Sequence, residues 1–516
     1  MWHMEGKTGN MQTIAFYPRP RTSNIKMASN VGMPVTQAEV GDVPAPFLTR
    51  RLADDALLAI SSSGDYAFLT ELEAQQLKIA PDSLPLARRA ALQARFFIPA
   101  THGRGSAHLL KSRQEAKRST VSNGPTLHII VPTLQCGHSC QYCQVSRSLS
   151  DQGHVISMVH LDQACDSIFD SPSKALTVEF QGGDPLLRFD LLKHAIKRIA
   201  TRNVREARSI RFVIASTLHQ LNPEMCAFFR LHDVYLSTSI DGPAFLHNKN
   251  RPVPGRDSYE RTLAGIELAR SVLGSEHVSA LMTTTRASLA YPEEIVDEYV
   301  KLGLQDIFLR PLSSYGFAKR NQARMQYSLS EFSDFYLRAL DRIFYWNRQG
   351  IAIREVYASI ILNKMLSTFD GGYVDLQSPT GAGSSVLVYN YDGYVYPSDE
   401  ARMLTETGEH ALRLGVIGTS LLALSQSPLQ NALTQASLVH DTAGCKQCAY
   451  NQFCSPNPVD AFAQHGSISA PVFSTEHCQR HMWLFDTMFL KLKEADAERQ
   501  ALFYRWAQPS SGNGPQ

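Results

Sequence analysis

The stretch that decides the fold is LHIIVPTLQCGHSCQYC, residues 127–143, in which an apolar run leads directly into three closely spaced cysteines. The run at 127–131 is short and apolar and predicts a buried strand. Cys136, Cys140 and Cys143 follow it at the spacing C-x3-C-x2-C. Three thiolates are one short of the four ligands that a 4Fe–4S cluster normally takes, so one iron would stay open to a small molecule. A zinc knuckle and chance spacing are the alternatives.

Outward from this stretch, strand and helix patterns alternate through six units. Six β-α units in series predict a parallel sheet with right-handed crossovers, whose ligands bind at the carboxyl ends of the strands. The cysteine loop follows the first strand and the loop Gly182-Gly183-Asp184-Pro185 follows the second, so both are expected at the same edge. The predicted strands are 127–131, 175–180, 210–214, 234–240, 278–283 and 307–312, and the main helices between them are 161–169, 189–200, 258–272 and 292–302.

Length and composition set outer bounds on the protein. A chain of 516 residues is expected to hold two to four domains. Its 44% hydrophobic and 19% charged residues are typical of a soluble globular protein, and a net charge of +2 does not favour binding to nucleic acid or to a membrane surface. No apolar run approaches the ~20 residues that span a bilayer, and the first ten residues lack an apolar signal core. These features predict a cytoplasmic location.

The chain has nine cysteines, an odd number, and most of them fall in two groups. In a cytosolic protein such grouping indicates metal binding rather than disulfides. Cys165 and Cys226 stand apart from both groups, within apolar helical patterns, and are expected to be core thiols. A C-x2-C pair within four cysteines fits a second iron–sulfur cluster or a zinc site. This second group consists of Cys445, Cys448, Cys454 and Cys478.

The motif formed by Cys136, Cys140, Tyr142 and Cys143 resembles the cluster motif of radical S-adenosylmethionine (SAM) enzymes, and the resemblance extends over about residues 125–490. It implies the α/β fold class with a partial (β/α)6 radical SAM barrel, in which SAM binds the open iron of a 4Fe–4S cluster. It also implies an enzyme in which an electron, from a donor such as flavodoxin or ferredoxin, cleaves SAM to methionine and a 5′-deoxyadenosyl radical. The chain then positions the substrate and excludes water.

The same resemblance implies which residues contact SAM. Tyr142 is expected beside the adenine, and the loop at 182–185 resembles a Gly-Gly-Glu-Pro motif that receives the SAM amino group, with aspartate replacing glutamate. The segment 239–243 resembles one typical of peptide-modifying members, and Arg251 is expected to pair with the SAM carboxylate. A core tyrosine and ordinary turns are the alternatives. The implied cofactor-binding residues are Tyr142, Gly182, Gly183, Asp184, Ser239, Asp241 and Arg251.

Downstream of the barrel, the chain resembles the SPASM domain, which usually carries seven cysteines and two auxiliary clusters. Here Thr380, Ser398 and Pro458 occupy three of the usual cysteine positions. The resemblance therefore implies that the first auxiliary cluster is lost and that one auxiliary 4Fe–4S cluster remains on the four C-terminal cysteines, with zinc as the rival occupant. Asp399 stands where sulfatase-maturing relatives carry a catalytic aspartate. It is a candidate general base, and a surface aspartate is the alternative.

The remaining segments follow from composition and turn patterns. A hairpin is expected across 57–69, followed by a helix with the capping box of Thr70 and Glu73. This small α+β module is either a peptide-recognition sheet that accepts an added strand or a structural cap. A second hairpin is expected at 386–396, with Asp-Gly at its turn. The predicted segments are an N-terminal module at 1–120 with a linker at 104–123, a barrel at 121–320, a helical connector at 321–375, a SPASM-like iron–sulfur domain at 376–495 and a tail at 496–516.

Residues 136–147, together with 16–20, are similar to the B-type radical SAM maturase of the His-Xaa-Ser peptide system. The resemblance implies a ribosomally made precursor peptide as substrate, oxidative cross-linking at His-Xaa-Ser motifs, and a second radical SAM maturase as a partner. One alternative is a sulfatase maturase that forms formylglycine. The other is a non-enzymatic zinc or iron–sulfur scaffold.

Overall fold

The computed structural model describes residues 47–98, 124–313, 315, 316, 318, 321–367 and 371–508, with 108, 109, 111, 112 and 115 between the first two ranges. The segment 16–20, most of the predicted linker at 104–123, and residues 509–516 of the predicted tail lie outside the described residues. Among the helices described here, none combines the length and the apolar character needed to cross a bilayer.

The strands fall into three sheets. β1, β2 and β3 form an antiparallel sheet in that order, nine strands form the central sheet in the order β10-β8-β7-β6-β5-β4-β12-β13-β14, and β9 pairs with β11. The strands are β1 Phe47–Arg51, β2 Leu57–Ser61, β3 Tyr66–Leu69, β4 Leu127–Thr133, β5 Ala175–Gly182, β6 Ser209–Ala215, β7 Val234–Ser239, β8 Val278–Thr283, β9 Asp306–Ile307, β10 Leu309–Arg310, β11 Arg354–Glu355, β12 Val386–Tyr389, β13 Tyr394–Tyr396 and β14 Gly415–Val416.

The helices cover the outer face of the parallel strands and continue through the C-terminal third. Apolar residues on that face, such as Val178 and Phe180 of β5, are fully buried beneath them. The α-helices are α1 Glu71–Ile79, α2 Leu86–Gln93, α3 Met158–Ser167, α4 Phe189–Glu206, α5 Pro223–Leu231, α6 Ala244–Asn250, α7 Ser258–Leu273, α8 Pro292–Lys301, α9 Gln322–Met325, α10 Leu329–Arg348, α11 Val356–Leu366, α12 Asp399–Thr405, α13 Leu421–Ser425, α14 Pro428–Ala436, α15 Pro458–His465, α16 Glu476–Glu494 and α17 Ala497–Trp506.

The parallel sheet predicted from six β-α units is confirmed, because β4, β5, β6, β7, β8 and β10 pair in parallel in that order. The sixth strand is shorter than the predicted 307–312. It divides into β9, which pairs with β11, and β10, which pairs with β8. Glu355 of β11 explains the division, since its carboxylate accepts hydrogen bonds from Leu309 N–H at 3.1 Å and from the Tyr336 hydroxyl at 2.6 Å.

The predicted hairpin at 386–396 is confirmed, but it does not form a sheet of its own. β12 pairs in parallel with β4, with Val386 opposite Leu127, so β12, β13 and β14 extend the barrel sheet. The prediction of a tail from 496 is wrong for 497–506, which form α17. Phe503 and Trp506 of that helix are buried, and Trp506 stacks on Phe344 at a centroid distance of 5.9 Å. Aromatic burial therefore holds this segment to the body.

The N-terminal sheet packs on α16, a helix of the C-terminal third. The predicted hairpin of β2 and β3 is confirmed, and so is the capping box of Thr70 and Glu73 at the start of α1. An additional strand, β1, joins β2 on its other side. Tyr66 lies edge-on to Phe489 of α16 at 5.1 Å, which places the module against the helix that carries Cys478.

Candidate active site

The loop after β4 carries the three cysteines of the C-x3-C-x2-C motif. Two backbone hydrogen bonds tie the start of this loop to Ser148. Cys136 N–H donates to the Ser148 carbonyl at 3.0 Å, and Ser148 N–H donates to the Leu134 carbonyl at 2.8 Å. Cys136 is buried, and Cys140 and Cys143 are half-buried. All three line one cavity of about 390 Å³, and residues at or after the ends of β5, β6 and β7 line it as well. The fold therefore brings the three predicted ligands together at the carboxyl ends of the strands.

Gly182 and Gly183 line the same cavity at the end of β5. Gly182 has a φ of +135°, a conformation that favours glycine. A Cβ atom on Gly182 would lie 2.2 Å from the Thr133 carbonyl oxygen, and one on Gly183 would lie 2.2 Å from the Gln135 carbonyl oxygen. The two glycines are therefore required for the end of β5 to pack directly against the cysteine loop.

Asp184 is buried, and it is not among the residues that line the cavity. Its carboxylate accepts hydrogen bonds from the Ser216 hydroxyl at 2.6 Å, from the Thr217 hydroxyl and from Leu186 N–H at 3.2 Å. Ser216 and Thr217 follow β6 and do line the cavity. The side chain of Asp184 therefore positions the loop after β6, whereas its glycine neighbours face the cavity.

Tyr142, Arg251 and Asp241 form a buried cluster beside the cysteine loop. The Tyr142 hydroxyl donates to Asp241 Oδ2 at 2.6 Å, and Arg251 Nε donates to the same oxygen at 3.0 Å. Burial raises the pKa of Tyr142 well above its usual value, so this hydroxyl keeps its proton. Tyr142, Arg251 and Ser239 line the cavity, but Asp241 does not. Asp241 therefore holds the two side chains that face the cavity.

A chain of histidines links this cluster to the cysteine loop. Asp241 N–H donates to His247 Nδ1 at 3.3 Å, His247 Nε2 lies 3.1 Å from the Ser258 hydroxyl, and that hydroxyl lies 3.1 Å from His138 Nε2. Burial lowers the pKa of His247 to about 4 and that of His138 to about 2, so both rings are neutral at physiological pH. Sequence reasoning missed His138, although it stands between two of the motif cysteines.

One wall of the cavity is acidic. Burial raises the pKa of Glu179 to about 7. Burial, and then the nearby charges of Asp375 and Asp399, raise the pKa of Glu400 to about 7 as well. Arg310 is the basic side chain that most directly opposes both shifts. The four acidic residues of this wall are Glu179, Asp375, Asp399 and Glu400. Except for Asp399, no motif in the sequence marked them.

Asp399, the predicted general base, is held by a neighbouring cation. Arg402 Nε and Nη2 both donate to Asp399 Oδ1, at 2.9 Å and 2.5 Å. The Arg402 side chain is fully buried, whereas that of Asp399 keeps 16% of its exposure and lines the cavity. Asp399 thus lines the same cavity as the three motif cysteines, and one of its carboxylate oxygens is bound by Arg402.

The four C-terminal cysteines line a second cavity of about 460 Å³. Cys448 precedes a turn at 449–452, and Cys478 lies in the first turn of α16, where its N–H donates to Thr475 Oγ1. Burial raises the pKa of Cys445 to about 12, and the neighbouring Cys478 and Cys448 add to this rise. None of the four forms a disulfide. The fold therefore brings together cysteines that are up to 33 residues apart in the chain.

The donor chemistry of both cysteine groups fits an iron–sulfur cluster. Burial raises the pKa of Cys136 and Cys140 to about 12, so a strong local cation is needed to hold them as thiolates. Three thiols line the first cavity and four line the second, which are the ligand numbers of an open and of a closed 4Fe–4S cluster. The four thiols of the second cavity fit a zinc ion as well.

Ser398, Pro458 and Thr380, which stand where the SPASM resemblance expects cysteine, serve local structure. Ser398 caps α12 by accepting a hydrogen bond from Ala401 N–H at 3.2 Å. Pro458 is the first residue of α15, a position that suits proline. Thr380 N–H donates to the Ser437 hydroxyl at 2.8 Å. None of these side chains supplies a thiolate.

Comparisons with known proteins agree with this arrangement. Residues 130–307 match the family model of the Radical SAM superfamily. An uncharacterized protein of Synechocystis sp. is 29% identical over 224 residues, which cover 42% of this chain and 55% of that protein. The chain therefore spans about half the length of this curated relative.

Two solved structures share the fold. The structure of anSMEcpe with bound AdoMet and Kp18Cys peptide has a TM-score of 0.61 at 15% identity and covers 74% of this chain and all of that one. The structure of Streptococcus suis SuiB bound to precursor peptide SuiA has a TM-score of 0.52 at 15% identity and covers 85% of this chain and all of that one. Residues 130–307 are therefore similar to the Radical SAM superfamily, and the chain shares its fold with both solved structures.

Proposed function

We propose that this protein is a radical SAM enzyme that oxidatively modifies a ribosomally made peptide. One observation carries the proposal. A single cavity at the carboxyl ends of the parallel strands is lined by Cys136, Cys140 and Cys143, by Gly182 and Gly183, and by cation and carboxylate side chains. The peptide substrate is supported by the neighbours of similar fold, which are bound to peptides in their structures.

The residues of the cavity divide the work. Cys136, Cys140 and Cys143 would hold a 4Fe–4S cluster, and the Gly182-Gly183 edge with Ser239 and Arg251 would bind SAM. Together these cofactors would supply radical chemistry for removing a hydrogen atom from the peptide. Arg251 suits a carboxylate, because its guanidinium remains charged and its Nη atoms are not committed to Asp241.

Asp241 and the histidine chain position this machinery. The Oδ2 atom of Asp241 accepts hydrogen bonds from Tyr142 and Arg251. Its Oδ1 atom accepts a hydrogen bond from Thr283 N–H at 3.3 Å. Asp184 holds the loop after β6 in the same way. We assign both aspartates to the support of residues that face SAM, rather than to contact with SAM itself.

The acidic wall supplies the proton acceptor. Removal of two hydrogens from a peptide yields three products: the abstracted hydrogen atom, one proton and one electron. Glu400 suits this role better than Asp399, because its pKa of about 7 matches proton transfer near neutral pH and Asp399 is bound by Arg402. The four C-terminal cysteines would hold an auxiliary 4Fe–4S cluster, which would supply an acceptor for the electron and a route to an electron acceptor outside the chain.

The finer assignment is the maturase of the His-Xaa-Ser system, with an intrapeptide cross-link as product. It rests on residues 136–147 and on 16–20, and a second radical SAM maturase is the expected partner. The alternative is the formation of formylglycine from serine, which also removes two hydrogens. Mass spectrometry of a co-expressed precursor peptide should therefore be combined with an aldehyde-reactive hydrazide. A loss of two hydrogens without hydrazide labelling supports the cross-link, labelling supports formylglycine, and an unchanged mass excludes both.

The proposal is tested by SAM cleavage in anaerobically purified protein. We expect about eight irons per chain and release of 5′-deoxyadenosine under reductant. Cys140→Ala should lose about half of the iron and all of the cleavage, because a cluster ligand is removed. Cys165→Ala is the matched control, since Cys165 is buried in α3 away from both cavities, and it should keep both. Cleavage that persists in Cys140→Ala contradicts the proposal.

A further inference from the structure

The outer strand β3 of the N-terminal sheet is already occupied by arginine side chains. Arg88 Nη2 donates to the Phe68 carbonyl at 2.6 Å, and Arg95 Nη1 donates to the Tyr66 carbonyl at 3.0 Å. A peptide strand that added at this edge would have to displace both guanidinium groups. The geometry of β3 therefore disfavours peptide recognition by strand addition at this edge of the sheet.

The opposite strand, β1, borders the C-terminal cysteine cavity. Thr49, Arg50 and Arg51 line the same cavity as the four cysteines, although about 400 residues separate them in the chain. Two contacts with α16 hold the N-terminal sheet beside this cavity. Tyr66 packs against Phe489, and Lys493 Nζ lies 2.5 Å from Asp54 Oδ2. The N-terminal sheet is thus one wall of the cysteine site.

Arg50 is held in place by a network that reaches two of the elements bearing the cysteines. Its Nε and Nη2 atoms each donate to Asp486 of α16 at 2.5 Å. The Tyr450 hydroxyl donates to Asp486 Oδ1 at 2.5 Å, and the Arg50 guanidinium carbon lies 5.5 Å from the centre of the Tyr450 ring. Tyr450 is two residues after Cys448, and α16 begins with the turn that contains Cys478.

We propose that Arg50 is a positioning residue of the C-terminal cysteine site. The N-terminal sheet places the Arg50 cation at this site, and the cation sets the reduction potential of the group held there. The proposal rests on the auxiliary 4Fe–4S cluster of the proposed function. One-electron reduction by a low-potential donor adds one negative charge to the site. The Arg50 cation stabilises that added charge and Asp486 opposes it, so the two side chains shift the potential in opposite directions.

The test uses the full chain with Cys136, Cys140 and Cys143 changed to Ala, so that the auxiliary cluster alone reports. Iron and sulfide content are measured first, and the midpoint potential is then titrated with dithionite and followed by EPR. We expect about four irons per chain. Arg50→Gln should lower the reduction equilibrium constant on the order of tenfold, which is about 59 mV for a one-electron couple. Asp486→Asn should shift the potential upward, and Arg50→Lys should stay near the parent value.

Lys493→Gln is the matched control, because it removes an ion pair between Asp54, in the turn that joins β1 to β2, and α16 at a position 15 residues beyond Cys478. It should leave the potential unchanged. If Arg50→Gln and Asp486→Asn both have the same midpoint potential as the parent, the inference is overturned, whereas the proposal of an auxiliary cluster is retained. Shifts in the same direction for these two variants overturn it as well, since a merely structural role would produce them. Absence of iron from the parent chain overturns the auxiliary cluster and the inference together.

Discussion

Gly183 lies where the end of β5 meets the cysteine loop, with no space for a side chain. A Cβ atom there would lie 2.2 Å from the Gln135 carbonyl oxygen and 2.3 Å from the Leu134 carbonyl oxygen. Because both neighbours are backbone atoms, Gly183→Ala should lower the free energy of unfolding by about 2 kcal/mol and reduce iron content. Urea unfolding and iron analysis check this. Gly137→Ala, in the same loop with no atom within 4 Å, should stay within about 0.5 kcal/mol of the parent.

His128 makes stability depend on pH. It is fully buried in β4, with Nδ1 3.2 Å from the Tyr389 hydroxyl, and burial lowers its pKa to about 4. The folded state thus favours the neutral ring. Its contribution is complete above the unfolded pKa of about 6.5 and is lost as pH falls toward 4, by roughly 3 kcal/mol in all.

Urea unfolding of the parent and of His128→Gln at pH 7.5 and at pH 5 isolates this contribution from that of the other histidines. The variant should lose less of its unfolding free energy between the two pH values than the parent does. An equal loss in both proteins would show that His128 does not carry the effect.

At the scale of elements, the first turn of α12 depends on the ion pair between Asp399 and Arg402. Asp399→Ala would leave the fully buried Arg402 guanidinium without its carboxylate. We expect a loss of about 3 kcal/mol in the free energy of unfolding, because an unpaired charge would remain buried. Urea unfolding measures it. Asp399→Ala combined with Arg402→Met should recover most of the loss, and failure to do so would show that the pairing is not the cause.

At the scale of the whole molecule, the C-terminal third completes the barrel sheet. β12 covers the edge of β4, and Ile129 and Val131 are buried in the same cluster as Val388 and Tyr396. A chain that ends at residue 375 would expose this edge and these side chains, so we expect it to aggregate. Size-exclusion chromatography beside the full chain tests this. A monomeric fragment with native far-UV circular dichroism would show that the barrel folds independently.

Features that depend on local spacing could be predicted from the amino-acid sequence. Short intervals and periodicities within single segments predict the C-x3-C-x2-C loop, the strand before it and the six β-α units. Each of these patterns extends over only a few residues. The order of strand and loop then placed the cysteines and Gly182-Gly183 at one edge, because parallel strands share the direction of their carboxyl ends. The resemblance of residues 130–307 to the Radical SAM superfamily depends on the same local motifs.

Contacts between residues that are distant in the chain are evident only in the folded protein. The acidic wall draws Glu179, Asp375 and Glu400 from three separate elements, and Arg50 reaches cysteines about 400 residues away. The folded protein also shows Asp241 to be a support for Tyr142 and Arg251, and 497–506 to be a packed helix. No local pattern encodes these outcomes, because contact between remote segments is set by how the packed elements bury their surfaces against one another.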